Sequence, residues 1–221
     1  MIDRAIFFSK VRAAPFGGAL SQSQVDGMNY MLDVFERDYN WPDLRWLAYA
    51  FATAYHETAF TMQPVKEYGG QSYLQSKPYY PYYGRGYVQL TWEDNYRKMG
   101  SKLSVNMLGD HKDRALEPSI AAAVMYVGMR DGDFTGKKLS SYFSSTINDP
   151  VNARRIINGT DKAQTIAGYH DKFLAALEAA EMSEPVTPPP QPPVVDNEYI
   201  TRAEFNAFLA ALQALAQEHM R

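Results

Sequence analysis

Glu57 and Glu67 are the residues of this chain best placed by type and setting to do chemistry. Glu57 closes a long apolar run, and Glu67 follows ten positions later, just before Gly69-Gly70. Two carboxylates at the rim of a hydrophobic element, with aromatics around them, can divide the labour of acetal hydrolysis. One protonates the leaving oxygen and the other activates a water. A carboxylate at a helix C-terminus, against an apolar wall, favours its protonated form, as a general acid requires. Most glutamates are simply solvated surface, so spacing alone does not separate the two readings.

Other chemistries are excluded or weakened by composition. The 221 residues contain no Cys, which removes disulfides, thiolate metal sites and thiol nucleophiles together. His56-Glu57 does not open a zinc helix, because HExxH needs His at the position of Phe60. Gly84-Arg85-Gly86 fails as a dinucleotide loop, since the third glycine falls on Gln89. No metal and no cofactor are therefore expected. A net charge of −3 argues against nucleic acid as a partner. No run is apolar and long enough for a signal peptide or a membrane span. The expectation is synthesis in a cytoplasm. Tyr is abundant at 16 residues against 3 Trp, and Tyr clusters suit sugar grooves as readily as cores.

The elements that must position these residues read as helices. Residues 3–12 are amphipathic and stop at Pro15, Gly17 and Gly18. Ser21 and Gln24 form a capping-box signature for a helix to about Asp38. From Asp43 to Thr58 the pattern is apolar nearly all round, which places that helix in the centre of the domain. Residues 59–86 read as irregular, Tyr87 to Leu90 as a short strand, and Thr91 as the cap of a helix from Trp92 to about Gly100. Further helices are expected at Pro118–Met129, near Leu139–Phe143, at Pro150–Ile157 and at Asp161–Glu181.

After Glu181 the composition shifts. Six of the thirteen prolines lie between Pro185 and Pro193, the mark of a semi-rigid linker. The division is then a domain over 1–182, a Pro-rich linker over 183–197 and an amphipathic helix over 198–221. Phe205, Phe208, Leu209, Leu212 and Leu215 form a stripe that one helix cannot bury alone, so homo-oligomerisation or docking on a partner assembly is expected of it.

His56-Glu57-Thr58, then Glu67, then Tyr83-Gly84-Arg85-Gly86-Tyr87-Val88-Gln89-Leu90-Thr91, then Asn95-Tyr96 and Ile156-Ile157-Asn158-Gly159 together resemble the family 19 glycoside hydrolases. These are chitinases and the related bacteriophage endolysins, and the resemblance spans roughly residues 1–181. The opening segment through Ser21-Gln22-Ser23-Gln24-Val25-Asp26-Gly27 looks like the phage branch. The resemblance implies a mainly α, lysozyme-like, two-lobed helical domain with a cleft, and inverting hydrolysis of β-1,4 bonds at N-acetylated sugars. It implies Glu57 as general acid, Glu67 as general base and Thr91 as the hydroxyl that holds the water. It implies His56, Tyr83, Gln89, Asn95 and Asn158 as substrate-binding positions. The expected substrate is the peptidoglycan glycan strand, so the resemblance also implies action on a cell wall, after release from the cytoplasm or as part of a virion. Chitin is the alternative, and a non-catalytic glycan-binding or structural protein a third. One position departs from the family: an Arg of its last helix aligns with Thr165, so either Lys162 or another residue replaces its charge, or the charge control of Glu57 differs here.

Overall fold

The computed structural model describes residues 1–181 together with Asn206, Ala207 and Ala210. Those three positions are helical and exposed; the linker and the rest of the C-terminal segment lie outside the described residues. Met1–Glu181 forms one compact unit. Its two ends meet, because Ile2 bridges Glu181 and the Asp3 N–H donates to the Ala180 carbonyl at 2.7 Å.

Seven α-helices build this unit: α1 (Arg4–Ala13), α2 (Gln22–Val34), α3 (Leu44–Glu57), α4 (Gln71–Gln75), α5 (Glu93–Leu103), α6 (Pro118–Asp131) and α7 (Ala163–Ala180). The capping box at α2 is complete, with Ser21 Oγ accepting from the Gln24 N–H and Gln24 Oε1 accepting from the Ser21 N–H. The α2 helix then widens into a π-turn over Phe35–Tyr39, ended by Asn40 in the left-handed region at φ 38°. Pro118 sits at the first turn of α6, where its missing N–H costs nothing.

The centre is α3. Every residue from Leu47 to Ala54 is 0% exposed, so this helix has no solvent face over that span. Its side chains divide into stripes four residues apart. Leu47, Phe51 and Tyr55 form one. Phe51 meets Phe7 of α1 and Phe173 of α7, and Tyr55 meets Phe16, Tyr169 and Phe173, all at ring separations of 4.8–5.8 Å. Tyr49 and Thr53 form another stripe, and its next member is Glu57. The packing that buries α3 thus decides where Glu57 emerges.

The strands differ from the expectation. The stretch 59–86 contains the two-residue strand β1 (Val65–Lys66), α4 and β2 (Arg85–Gly86), with β1 and β2 antiparallel and Val65 opposite Gly86. Tyr87 to Leu90 is a tight return in which only Leu90 bridges back, to Arg85. Gly86 at φ 85° and Gln89 at φ 53° turn the chain there, which an alternation of apolar residues does not reveal. Thr91 does not cap α5. Trp92 occupies the cap position at φ 75° with no side-chain bond, and Thr91 Oγ1 donates to the Gln89 carbonyl at 2.8 Å. The Tyr-rich stretch divides, with Tyr82 and Tyr87 in the core and Tyr68, Tyr73 and Tyr80 exposed.

His170 of α7 is fully buried, stacked on Phe143 at 5.2 Å, with Nδ1 3.1 Å from Asp171 Oδ1. Burial outweighs the Asp171 carboxylate and pushes its pKa down. A depressed histidine stabilises the fold fully above its unfolded value of ~6.5, and that contribution is lost as pH falls toward the folded value. Urea midpoints should therefore decline from pH 7.5 to pH 5.5. The His170 imidazole signals in proton NMR should titrate below those of an unfolded control.

Candidate active site

Glu57 is the last residue of α3. Beyond it Thr58 closes the helix, its N–H and Oγ1 both donating to the Ala54 carbonyl at 3.0 and 2.7 Å. The chain then reverses through three non-glycine residues with positive φ, Ala59, Phe60 and Met62. Such residues cost of order 1 kcal/mol or more each and persist only where packing holds them. Gly27 of α2 provides that packing, since a Cβ there would stand 1.9 Å from the Met62 carbonyl oxygen.

The Glu57 carboxylate meets a cation instead of the expected apolar wall. Arg154 Nη1 donates to Glu57 Oε1 at 2.6 Å. Arg154 lies in a 3₁₀ turn (Asn152–Ile156), and its side chain is only 4% exposed against 17% for Glu57. Arg154 Nε is spent on the Asp161 carbonyl at 3.1 Å, which aims the guanidinium. Lys162 and Thr165 are both exposed, so Arg154 supplies the charge that the departure at Thr165 called for. Sequence reasoning passed over Arg154. The available signal was its place four residues before Asn158, within the Ile156-Ile157-Asn158-Gly159 block already singled out. His56 is half-buried, and burial pushes its pKa down against the pull of Glu57, leaving the ring neutral near pH 7.

Glu67 follows β1 and is fixed from three points. Its own N–H donates to the Gly84 carbonyl at 2.7 Å. Its Oε2 accepts from the Gly84 N–H at 3.0 Å, and its Oε1 accepts from the Tyr79 hydroxyl at 2.8 Å. Burial, then the Glu67 carboxylate, push the Tyr79 phenol up to about 12, so it stays a donor at working pH.

Gly84 also makes room for Gln89, whose Oε1 would stand 2.6 Å from a Cβ at that position. Gln89 Nε2 donates to the Val65 and Gly86 carbonyls at 3.1 and 3.2 Å, tying the return loop to both strands. Arg85 anchors the same loop from beneath. Its side chain is 0% exposed and donates to Asp113 Oδ1 at 2.7 Å, to the Pro81 and Tyr83 carbonyls at 3.2 and 3.0 Å, and to the Tyr96 hydroxyl at 3.0 Å. Tyr83 stacks on that guanidinium at 3.9 Å.

A cleft of about 350 Å³ gathers Gln89, Thr91, Asn95 and Asn158, four of the residues singled out in the sequence, with Tyr79, Trp92 and Phe134. Tyr83, His56, Glu57 and Glu67 are not among its lining residues. Glu67 reaches the cleft lining through Tyr79. Glu57 reaches it through Arg154, whose carbonyl accepts the Asn158 N–H at 3.0 Å. Asn95 Nδ2 is spent on the Thr91 carbonyl at 2.8 Å, and Asn158 Oδ1 on the Gly159 N–H at 2.8 Å. Asn95 keeps an acceptor and Asn158 keeps donors, the complement of an acetamido group. Trp92 is 50% exposed and meets Tyr79 edge-on at 5.3 Å, a surface suited to a sugar face. Among the described residues no group of three or more His, Asp or Glu could hold a metal ion, and no helix is long and apolar enough to cross a membrane.

No family model matches the sequence, and no curated protein matches it. Solved structures do. Chitinase C from Streptomyces griseus superposes at a TM-score of 0.53 and 19% identity over 80% of this chain and 76% of that one. The family 19, class IV chitinase of Zea mays superposes at a TM-score of 0.50 and 18% identity over 78% of this chain and 90% of that one. The fold is thus the mainly helical, lysozyme-like fold of the family 19 chitinases.

Removing Arg154 strands a partly buried carboxylate. Breaking a buried pair costs roughly 3–5 kcal/mol, and the residual exposure of Glu57 lowers the expectation for Arg154→Met to about 2–3 kcal/mol. Urea denaturation should show that loss, with Arg154→Lys recovering part of it.

Proposed function

We propose that this protein is a glycoside hydrolase that cleaves β-1,4 bonds between N-acetylated sugars by inversion, and that its substrate is the glycan strand of peptidoglycan. The observation that carries the reading is that two differently held carboxylates each connect to the lining of one cleft, Glu67 through Tyr79 and Glu57 through Arg154 and Asn158. Glu57 is paired with a buried Arg, and Glu67 is held by a phenol and a backbone N–H. Such an environment difference is what separates an acid from a base in a carboxylate pair.

The reaction needs a water between the two carboxyls, which inverting enzymes hold roughly 6.5–9.5 Å apart. In the proposed cycle Glu67 takes a proton from the water as its oxygen bonds to the anomeric carbon. The glycosidic C–O bond breaks, its electron pair goes to the leaving oxygen, and that oxygen takes the proton of Glu57. Arg154 then faces the Glu57 carboxylate left behind and stabilises it. Thr91 holds the water. Its Oγ1–H is committed to the Gln89 carbonyl, so its oxygen is left to accept from that water. Asn95 and Asn158 fix the acetamido group.

Peptidoglycan is favoured over chitin by the phage-like opening segment and by the lack of Cys, unlike the disulfide-rich plant enzymes. An endolysin of this kind would act on the cell wall. Chitin oligomers are the second reading, supported by the chitinases that share the fold.

Purified sacculi and chitin oligomers, digested side by side and read by mass spectrometry, test both. Muropeptides with new reducing ends are expected from the wild type. Glu57→Gln and Glu67→Gln should each lower turnover by about 10²–10⁴-fold, the range for a general acid or base, while sugar binding survives. Near-normal turnover by either variant would remove that residue from its role, and products from chitin alone would replace the substrate.

A further inference from the structure

We propose that Tyr79 is the positioning residue of the base: its phenol sets the plane of the Glu67 carboxylate from which the water's proton is taken. The proposal rests on the reading of Glu67 as base given above.

The argument begins with how little else fixes that carboxylate. Glu67 follows a two-residue strand and precedes three exposed residues, Tyr68, Gly69 and Gly70. The terminal torsion of a glutamate is broad and roughly two-fold, so the backbone leaves the carboxylate free to turn. A single donor, the Gly84 N–H on Oε2 at 3.0 Å, would act as a pivot. A second donor on the other oxygen removes the rotation, and Tyr79 provides it on Oε1 at 2.8 Å. Each oxygen then keeps an unused acceptor position for the water and its proton.

Tyr79 is itself held from the cleft. Its ring lies edge-on to Trp92 at 5.3 Å and 76°, and both rings line the cavity that holds Thr91. Its chain neighbours Pro78 and Tyr80 are exposed, whereas Tyr79 is half-buried. A connected path therefore runs from the exposed face of Trp92 through Tyr79 to Glu67. A sugar seated on Trp92 presses on the residue that orients the base. The phenol takes no proton in the cycle, because it remains protonated throughout the working range.

Tyr79→Phe removes one O–H and keeps the ring against Trp92. Misplacing a reacting group by about 1 Å costs on the order of 10²-fold, so kcat should fall about 10- to 100-fold with KM within about twofold and the thermal midpoint unchanged. A second readout needs no turnover. With tyrosines labelled at Cζ, the resonance assigned to Tyr79 by its absence in Tyr79→Phe should move at pH 7 when Glu67→Gln neutralises the acceptor. Wild-type kcat in Tyr79→Phe, or an unmoved resonance in Glu67→Gln, overturns the proposal. If Glu67→Gln itself turns over normally, the base assignment fails instead, and the resonance still reports whether the bond exists.

Discussion

A helix with no solvent face has to place its charges at its ends. That constraint on α3 organises the rest of this molecule. From Leu47 to Ala54 every side chain is enclosed, by α1 and α7 along one stripe and by Phe143 and His170 near another. Full burial of each large apolar side chain contributes about 1.5–3 kcal/mol, so no small rearrangement can rotate or slide this helix. Glu57, one turn beyond Thr53, inherits that rigidity. Its position is set by a core, not by a loop.

The second carboxylate is placed by the opposite strategy. Glu67 directly follows a short strand whose partner, β2, is anchored by one buried guanidinium. Arg85 gathers Asp113, two loop carbonyls and the Tyr96 hydroxyl, so the return loop, α5 and the 3₁₀ turn at Gly109–Leu116 move as one. An arginine suits this work because its five donors form a fixed fork. Glycines at 84 and 86 let the backbone pass close to Gln89 and turn. The Gly-Arg-Gly segment thus owes its rigidity to the arginine and its path to the glycines.

The two carboxylates differ in what surrounds them, and that difference is the basis of the functional reading. Glu57 faces a buried cation that can receive it as an anion. Glu67 is held by neutral donors that orient it without adding charge. On the proposed cycle, the arrangement suits a group that ends each turnover ionised and another that ends it protonated.

Much of this was legible in the sequence. The all-round apolar pattern placed α3 at the centre, and the capping box at Ser21 and Gln24 held. These features are local: hydrophobic periodicity and hydrogen bonds reaching a few positions along the chain fix them. The tertiary structure decided the rest. Two-residue strands carry no alternation to detect, so β1 and β2 exist only through their pairing. Arg154 reaches Glu57 across 97 positions, and Tyr79 reaches Glu67 through a loop. Which cation faces which carboxylate depends on how distant segments pack, and no periodicity in either segment encodes that meeting.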